Sequence, residues 1–167
     1  MACEKDREKD REKDRETDRV ADHRRLDWHA LSIPVDLPEV VDQISYERVV
    51  MNAAATWDYF PGHFDPEYAK RQGHPTIFVN TMHLAGFVDR VVTDWAGPYS
   101  RVVRRKIALM GSIYAGDTMI GRGVVIAKRC NTSGSKPQYL VDLEIGVSNQ
   151  RGELCCPAEV TLEVLEP

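Results

Sequence analysis

One segment of this sequence combines residue types suited to moving protons: Trp57-Asp58-Tyr59-Phe60-Pro61-Gly62-His63-Phe64-Asp65-Pro66. It sets a carboxylate and an imidazole five positions apart, and Pro61 with Gly62 between them forbids a regular helix. In a loop of this kind the two side chains can converge on one point. An Asp and a His that do so can hold one water between them, each giving or taking a proton according to its neighbours. The carboxylate also selects which imidazole nitrogen carries hydrogen. Such pairs occur equally as plain hydrogen bonds in loops, so the spacing by itself leaves both readings open. The other nucleophile and phosphate signatures are missing. Gly121-Arg122-Gly123 begins a glycine-rich pattern but lacks its third glycine and falls within an expected strand. The cysteines have neither a CxxC pair nor a neighbouring His at ligand spacing, so no metal is expected.

The elements that must carry this loop alternate between strand and helix signals. Residues 45–56 read as a first strand. Asp65 as N-cap, Pro66 at the first helical position and Gly73 at the far end mark a short helix over 65–72. From Thr76 to Thr93 the apolar Ile77, Val79, Leu84, Phe87, Val88 and Val91 recur largely at helical spacing, and Gly97-Pro98 stops the run. A helix apolar on most sides belongs at the centre of the fold. Four β-rich runs follow, at 101–110, 118–127, 139–147 and 154–165, separated by turn residues. One strand, a long buried helix and a series of antiparallel strands make an α+β fold with the sheet wrapped around the helix.

The chain has 167 residues and a formal charge of -4. Its charge is unevenly placed. Residues 1–19 hold 8 acids and 7 bases, mostly in a repeated EKDR unit, which leaves 18 acids and 15 bases for the other 148 residues. The repeat has no apolar face, so 1–19 is expected to be a solvated, disordered tail. Residues 20–39, with Pro34 and Pro38, read as an extended linker lying on the body, and 40–167 as the folded domain. The mildly acidic body lacks the basic face that phosphate backbones require, which excludes nucleic-acid binding. With no apolar leader and no span long enough for a bilayer, the protein is expected to be cytoplasmic and free of membrane contact.

The segment around Asp58 resembles the MaoC-like, R-specific enoyl-CoA hydratases of the hotdog superfamily, whose motif runs G-D-x-N-P-apolar-H. Asp58, Pro61 and His63 match it at the right spacing, and Asp65, Ala69, Gly73 and Ala115-Gly116-Asp117-Thr118 fit as well. Within that family, His63-Phe64-Asp65-Pro66, Ile77-Phe78-Val79-Asn80 and Thr93-Asp94-Trp95-Ala96-Gly97-Pro98 look like the actinobacterial hydratase subunit of steroid side-chain degradation. The likeness covers about residues 40–165. Three positions depart from the pattern: Trp57 replaces the glycine before the Asp, Phe60 replaces the Asn, and Asn80 stands where a glycine often opens the central helix.

The resemblance implies a hotdog fold and addition of water to a trans-2-enoyl-CoA thioester, or its reversal. Asp58 and His63 are the implied catalytic pair, with their two proton roles exchangeable. Backbone N–H groups near Val79 and Asn80 are the implied donors to the thioester oxygen. Phe60 and Trp57 either line a pocket for a large apolar acyl group or are simply packed. No cofactor is implied beyond the CoA thioester that serves as substrate, and the implied assembly is a homodimer or a heteromer with a second MaoC-like chain. A thioesterase with Asp89 as its helix carboxylate, a dehydratase for a carrier-bound polyketide, and a non-catalytic hotdog partner are the competing readings. Arg101, Arg104, Arg105 and Lys106 form the one basic cluster, read as a solvated strand face or as a contact to the CoA phosphates.

Overall fold

The computed structural model describes residues 25–134 and 136–165, so the EKDR run and the first part of the expected linker lie outside the described residues. Six strands form one antiparallel sheet: β1 (Val35–Asp36), β2 (Val40–Gln43), β3 (Ser100–Ile107), β4 (Thr118–Asn131), β5 (Gln138–Asn149) and β6 (Leu154–Val164). Their order is β1-β4-β5-β6-β3, with β2 also pairing to β4. Register places Leu143 opposite both Val125 and Val160, and period-2 alternation sends that row to one face. Irregularities between Val102 and Arg104 and between Val125 and Ala127 bend the sheet. The curved face wraps the helix α3 (Thr81–Ala96), defined here after α1 (Tyr46–Ala55) and α2 (Pro66–Arg71). This is the hotdog arrangement.

Helix α3 buries Leu84, Ala85, Phe87, Val88, Val91, Val92 and Ala96. Each of the larger side chains contributes on the order of 1.5–3 kcal/mol by leaving water. The helix lies close against β4 because Gly121 has no side chain there. A Cβ on Gly121 would stand 2.4 Å from Val91 Cγ2 and 2.9 Å from Phe87 Cε1. No helix among the described residues is long and apolar enough to cross a membrane.

Two sequence expectations are corrected. Residues 46–55 form helix α1, not a strand: Ser45 Oγ accepts from Arg48 N–H at the start, Glu47 sits in the first turn, and Val49 and Ala53 face the core. The β-branched pair Val49-Val50 imitates a strand, but its burial follows the helical i, i+4 spacing. The central helix begins at Thr81, later than the expected Thr76. Residues 77–79 are extended instead, with Val79 N–H donating to Ile113 O (2.9 Å) and Ala115 N–H to Ile77 O (2.9 Å).

Ahead of the sheet, residues 26–31 lie against the body. Trp28 Nε1 donates to Leu140 O (3.0 Å), and Lys128 Nζ donates to the carbonyls of Trp28, His29 and Leu31. Leu37 is buried in the core and its N–H donates to Gly123 O (2.8 Å).

Candidate active site

The Asp58 carboxylate is placed by the end of a helix. Helix α1 closes with Trp57 N–H donating to Ala54 O (3.3 Å) and Asp58 N–H to Ala53 O (2.9 Å). These are the two bonds of a Schellman motif, whose residue after the cap takes a left-handed conformation and is usually glycine. Trp57 occupies that position at φ 57°, as the one non-glycine residue with positive φ among those described. The glycine that the sequence pattern leads one to expect there thus has a backbone reason, and Trp57 retains the conformation at a steric cost.

Five residues on, the 3-10 turn at Pro61–His63 delivers the imidazole. His63 is buried, and its Nδ1 lies 2.8 Å from Phe78 O. A carbonyl can only accept, so Nδ1 carries a hydrogen, and the uncharged tautomer with that hydrogen has its lone pair at Nε2. That nitrogen lies 3.4 Å from Asp58 Oδ2, with the His63 side chain 8% exposed and that of Asp58 34% exposed. The pair has one face toward solvent and one toward protein. Phe60 and Phe78 pack edge-on against the ring at centroid distances of 5.4 and 5.1 Å. Gly62 permits this crowding, since a Cβ there would come within 2.6 Å of Phe60 and 3.0 Å of Phe78. The loop then enters α2, where Asp65 Oδ1 accepts from Glu67 N–H (2.9 Å) and Tyr68 N–H (3.0 Å), as its N-cap spacing predicts.

Segment 78–80 supplies the other wall. Asn80 is the N-cap of α3: its Oδ1 accepts from His83 N–H (2.9 Å) and its Nδ2 donates to Thr56 Oγ1 (2.7 Å). Of the two backbone donors expected near the thioester, Val79 N–H is committed to Ile113 O, and the Val79 side chain is buried in the core. The Asn80 N–H has no protein acceptor among the described residues and sits at the positive end of a sixteen-residue helix. The structure therefore brings Asp58, His63 and Phe60 together, links Asn80 to Thr56 just ahead of them, and commits the Val79 N–H elsewhere.

Trp57 is 79% exposed and stacks edge-on against Tyr59, while Phe60 is 44% exposed. They flank Asp58 in the chain and present apolar surface to solvent. The sequence gives no sign of the Thr56 hydroxyl, two residues ahead of Asp58, which donates to Asn52 O (2.8 Å).

The remaining candidates lie elsewhere or are already engaged. Arg101 pairs with Glu163, Arg104 and Lys106 with Glu159, and Arg105 with Asp89, so each member of the basic cluster has a carboxylate. His74 Nδ1 lies 3.1 Å from the Tyr114 hydroxyl, behind Phe78. His83 is half-buried in the first turn of α3. Burial lowers its pKa from the ordinary histidine value, Arg48 lowers it further, and Asp42 opposes both. No group of three or more His, Cys, Asp or Glu side chains with metal-binding geometry occurs among the described residues. A hollow of about 560 Å³ on the outer face of the sheet, lined by Lys106, Arg122, Glu144, Leu154 and Glu159, includes neither member of the pair.

Comparison with known proteins adds to this geometry. Residues 32–141 match the family model of the MaoC like domain. The 3-oxo-4,17-pregnadiene-20-carboxyl-CoA hydratase beta subunit of Mycobacterium tuberculosis is 40% identical over 79 residues, which is 47% of this chain and 61% of that protein. The match thus spans less than two thirds of that relative's length. A chain in the crystal structure of the ChsH1-ChsH2 complex from the same organism is 32% identical, with TM-score 0.69, covering 80% of this chain and 98% of that one. The (R)-hydratase from A. caviae involved in PHA biosynthesis superposes with TM-score 0.71 over 81% of this chain and 98% of its own, at 20% identity, a likeness of fold alone.

Proposed function

Because this chain belongs to the MaoC-like domain family, we propose that it adds water across the double bond of a trans-2-enoyl-CoA thioester, or removes it from the 3-hydroxyacyl product, using Asp58 and His63. The observation that carries this reading is the 3.4 Å approach of His63 Nε2 to Asp58 Oδ2, with Nδ1 already committed to Phe78 O. That commitment leaves Nε2 as the imidazole atom able to take a proton, which favours His63 as the base. Water held by the Asp58 carboxylate loses a proton to Nε2 as its oxygen bonds to Cβ. The π electrons move toward the thioester carbonyl, whose oxygen gains charge. The imidazolium, steadied by Asp58, returns its proton to Cα, so the net change is the addition of one water. The Asn80 N–H at the start of α3 is the donor to the developing oxyanion, a role worth on the order of 3 kcal/mol in comparable sites. Every transfer uses these groups and the substrate, with no change of oxidation state to supply from outside.

Two finer parts of the proposal rest on the same site. The exposed rim of Trp57 and Phe60 suits a bulky, polycyclic acyl group, in keeping with the pregnadiene thioester in the name of the relative above. A second MaoC-like chain, either another copy or a different subunit, is the proposed partner that covers this rim. The relative is named a beta subunit, and the similar solved chain comes from a complex. The thioesterase alternative is disfavoured because the Asp89 carboxylate is taken up by the Arg105 guanidinium.

The test is loss of enoyl absorbance when the full chain meets a short or a steroid-sized trans-2-enoyl-CoA. Asp58→Asn and His63→Ala are each expected to lower turnover by at least about 100-fold, the low end of general acid–base contributions. Near wild-type rates in both variants refute the assignment. A preference for the short substrate refutes the bulky-acyl part alone.

A further inference from the structure

We infer that Thr56 is a positioning residue for this reaction, joined to Asn80 in a clamp that fixes Asp58 relative to the start of helix α3. The inference rests on the hydratase reading and deepens it by assigning a residue outside the Asp58/His63 pair that acts through their placement.

The hydrogen-bond directions in the clamp determine one another. Asn80 Oδ1 must be the atom facing His83 N–H, because that amide can only donate. Asn80 Nδ2 is then the atom facing Thr56 Oγ1 at 2.7 Å, which makes the threonine oxygen an acceptor. The Thr56 hydrogen is left for Asn52 O at 2.8 Å, within helix α1. One unbroken run of donors and acceptors thus ties the C-terminal turn of α1 to the N-terminal cap of α3. Asn80 is 2% exposed, so this run is shielded from competing water.

What the clamp holds follows from the chain. Asp58 lies two residues past Thr56, and its backbone is fixed by the helix end through Ala53 O. At the other end of the loop, His63 is fastened to Phe78 O, two residues before Asn80, and Phe78 N–H donates back to Gly62 O (3.3 Å). The active-site loop is therefore attached at both ends to the same short stretch, 78–80. The Phe78 end sets the imidazole and the Thr56 end sets the carboxylate. Without the Thr56 tie, α1 can pivot relative to α3, and the Asp58–His63 separation and the distance from Asp58 to the Asn80 N–H change together. Misplacement of a reacting group by about 1 Å can cost on the order of 100-fold in rate.

The experiment measures kcat and KM of the full chain on a short trans-2-enoyl-CoA. Thr56→Val keeps the size and removes the hydroxyl. It is expected to lower kcat by roughly 10–100-fold, the range for outer groups that orient a catalytic one, with KM changed by less than about 3-fold. Thr56→Ser is expected to recover most of the loss. Asn80→Ser keeps a good helix cap but is too short to span to Thr56, and is expected to show the same deficit should Thr56→Val fail to fold. The double variant should be no slower than either single one, as residues acting through one contact require. The inference is overturned if Thr56→Val keeps wild-type kcat, if Thr56→Ser falls equally far, or if the two losses multiply. Those outcomes need an active wild type. A wild type that leaves every enoyl thioester intact, both alone and with a second MaoC-like chain supplied, overturns the hydratase reading itself, and the clamp's catalytic role with it.

Discussion

Trp57→Gly should stabilise this protein, although it deletes one of the largest side chains in the molecule. Trp57 holds φ 57° at the position where a Schellman motif favours glycine. A residue with a Cβ carries a penalty of roughly 1–2 kcal/mol in that conformation, and glycine carries none. Glycine also loosens the unfolded chain, which offsets about 0.4–1 kcal/mol of the gain. The indole contributes little burial because it is 79% exposed, and its edge contact to Tyr59 lies at the surface. The net expectation is a gain of about 0.5–1 kcal/mol. For a domain of this size that raises Tm by roughly 1–4 °C, at 2–4 °C per kcal/mol. Trp57→Ala is the control that isolates the backbone: it removes the same ring and keeps the strain, so it should melt no higher than wild type. Thermal unfolding followed by far-UV circular dichroism distinguishes the two. If the glycine variant melts at or below the alanine variant, the left-handed strain argument is wrong.

Gly121→Ala is expected to destabilise by about 1–3 kcal/mol, because its Cβ has no space between β4 and the Val91 and Phe87 side chains; chemical denaturation measures the loss. His83 binds a proton less readily when folded than when unfolded, because burial disfavours its charged form. Its contribution is therefore complete above the unfolded value of about 6.5 and is lost as pH falls toward the lowered folded value. Wild type should accordingly lose more stability than His83→Gln between about pH 7 and pH 5, as read from paired melting curves.

How far the sequence could be read depended on whether the signal was local. Helix α2 announces itself through Asp65, Pro66 and Glu67, because capping is decided within one turn. The long strands are legible from alternation, although β4 continues to Asn131 and β5 starts at Gln138, with the hairpin paired nearly to its tip. Helix α1 was misleading because its end carries Trp57, where a glycine would have marked the stop, while Val49 and Val50 favour strands on propensity alone. The start of α3 was set by competition: Ile77 and Val79 continue the apolar pattern backward, but their backbone bonds to Ala115 and Ile113 hold them extended. The spacing of Asp58 and His63 and the proline between them permit convergence but leave it open, and the resemblance to the MaoC-like motif is what singles them out as a pair. The tautomer of His63 was not legible, because it depends on Phe78, fifteen residues away. The Thr56–Asn80 contact spans 24 residues between two side chains of ordinary type, and no local pattern encodes it.

The Schellman motif at the end of α1 has a bearing on how such a site can evolve. Asp58 is located by main-chain bonds to Ala53 and Ala54 and by the turn at Trp57, so its placement is inherited with the helix. Tyr59, 63% exposed, comes after that anchor, in the loop, where its side chain can change size without moving the main-chain bonds that hold Asp58. Substitution at such exposed loop positions can then alter the surface beside Asp58 while leaving its backbone where it was. The two sit on adjoining residues yet are set by different means, one by main-chain bonds and the other by exposed side chains.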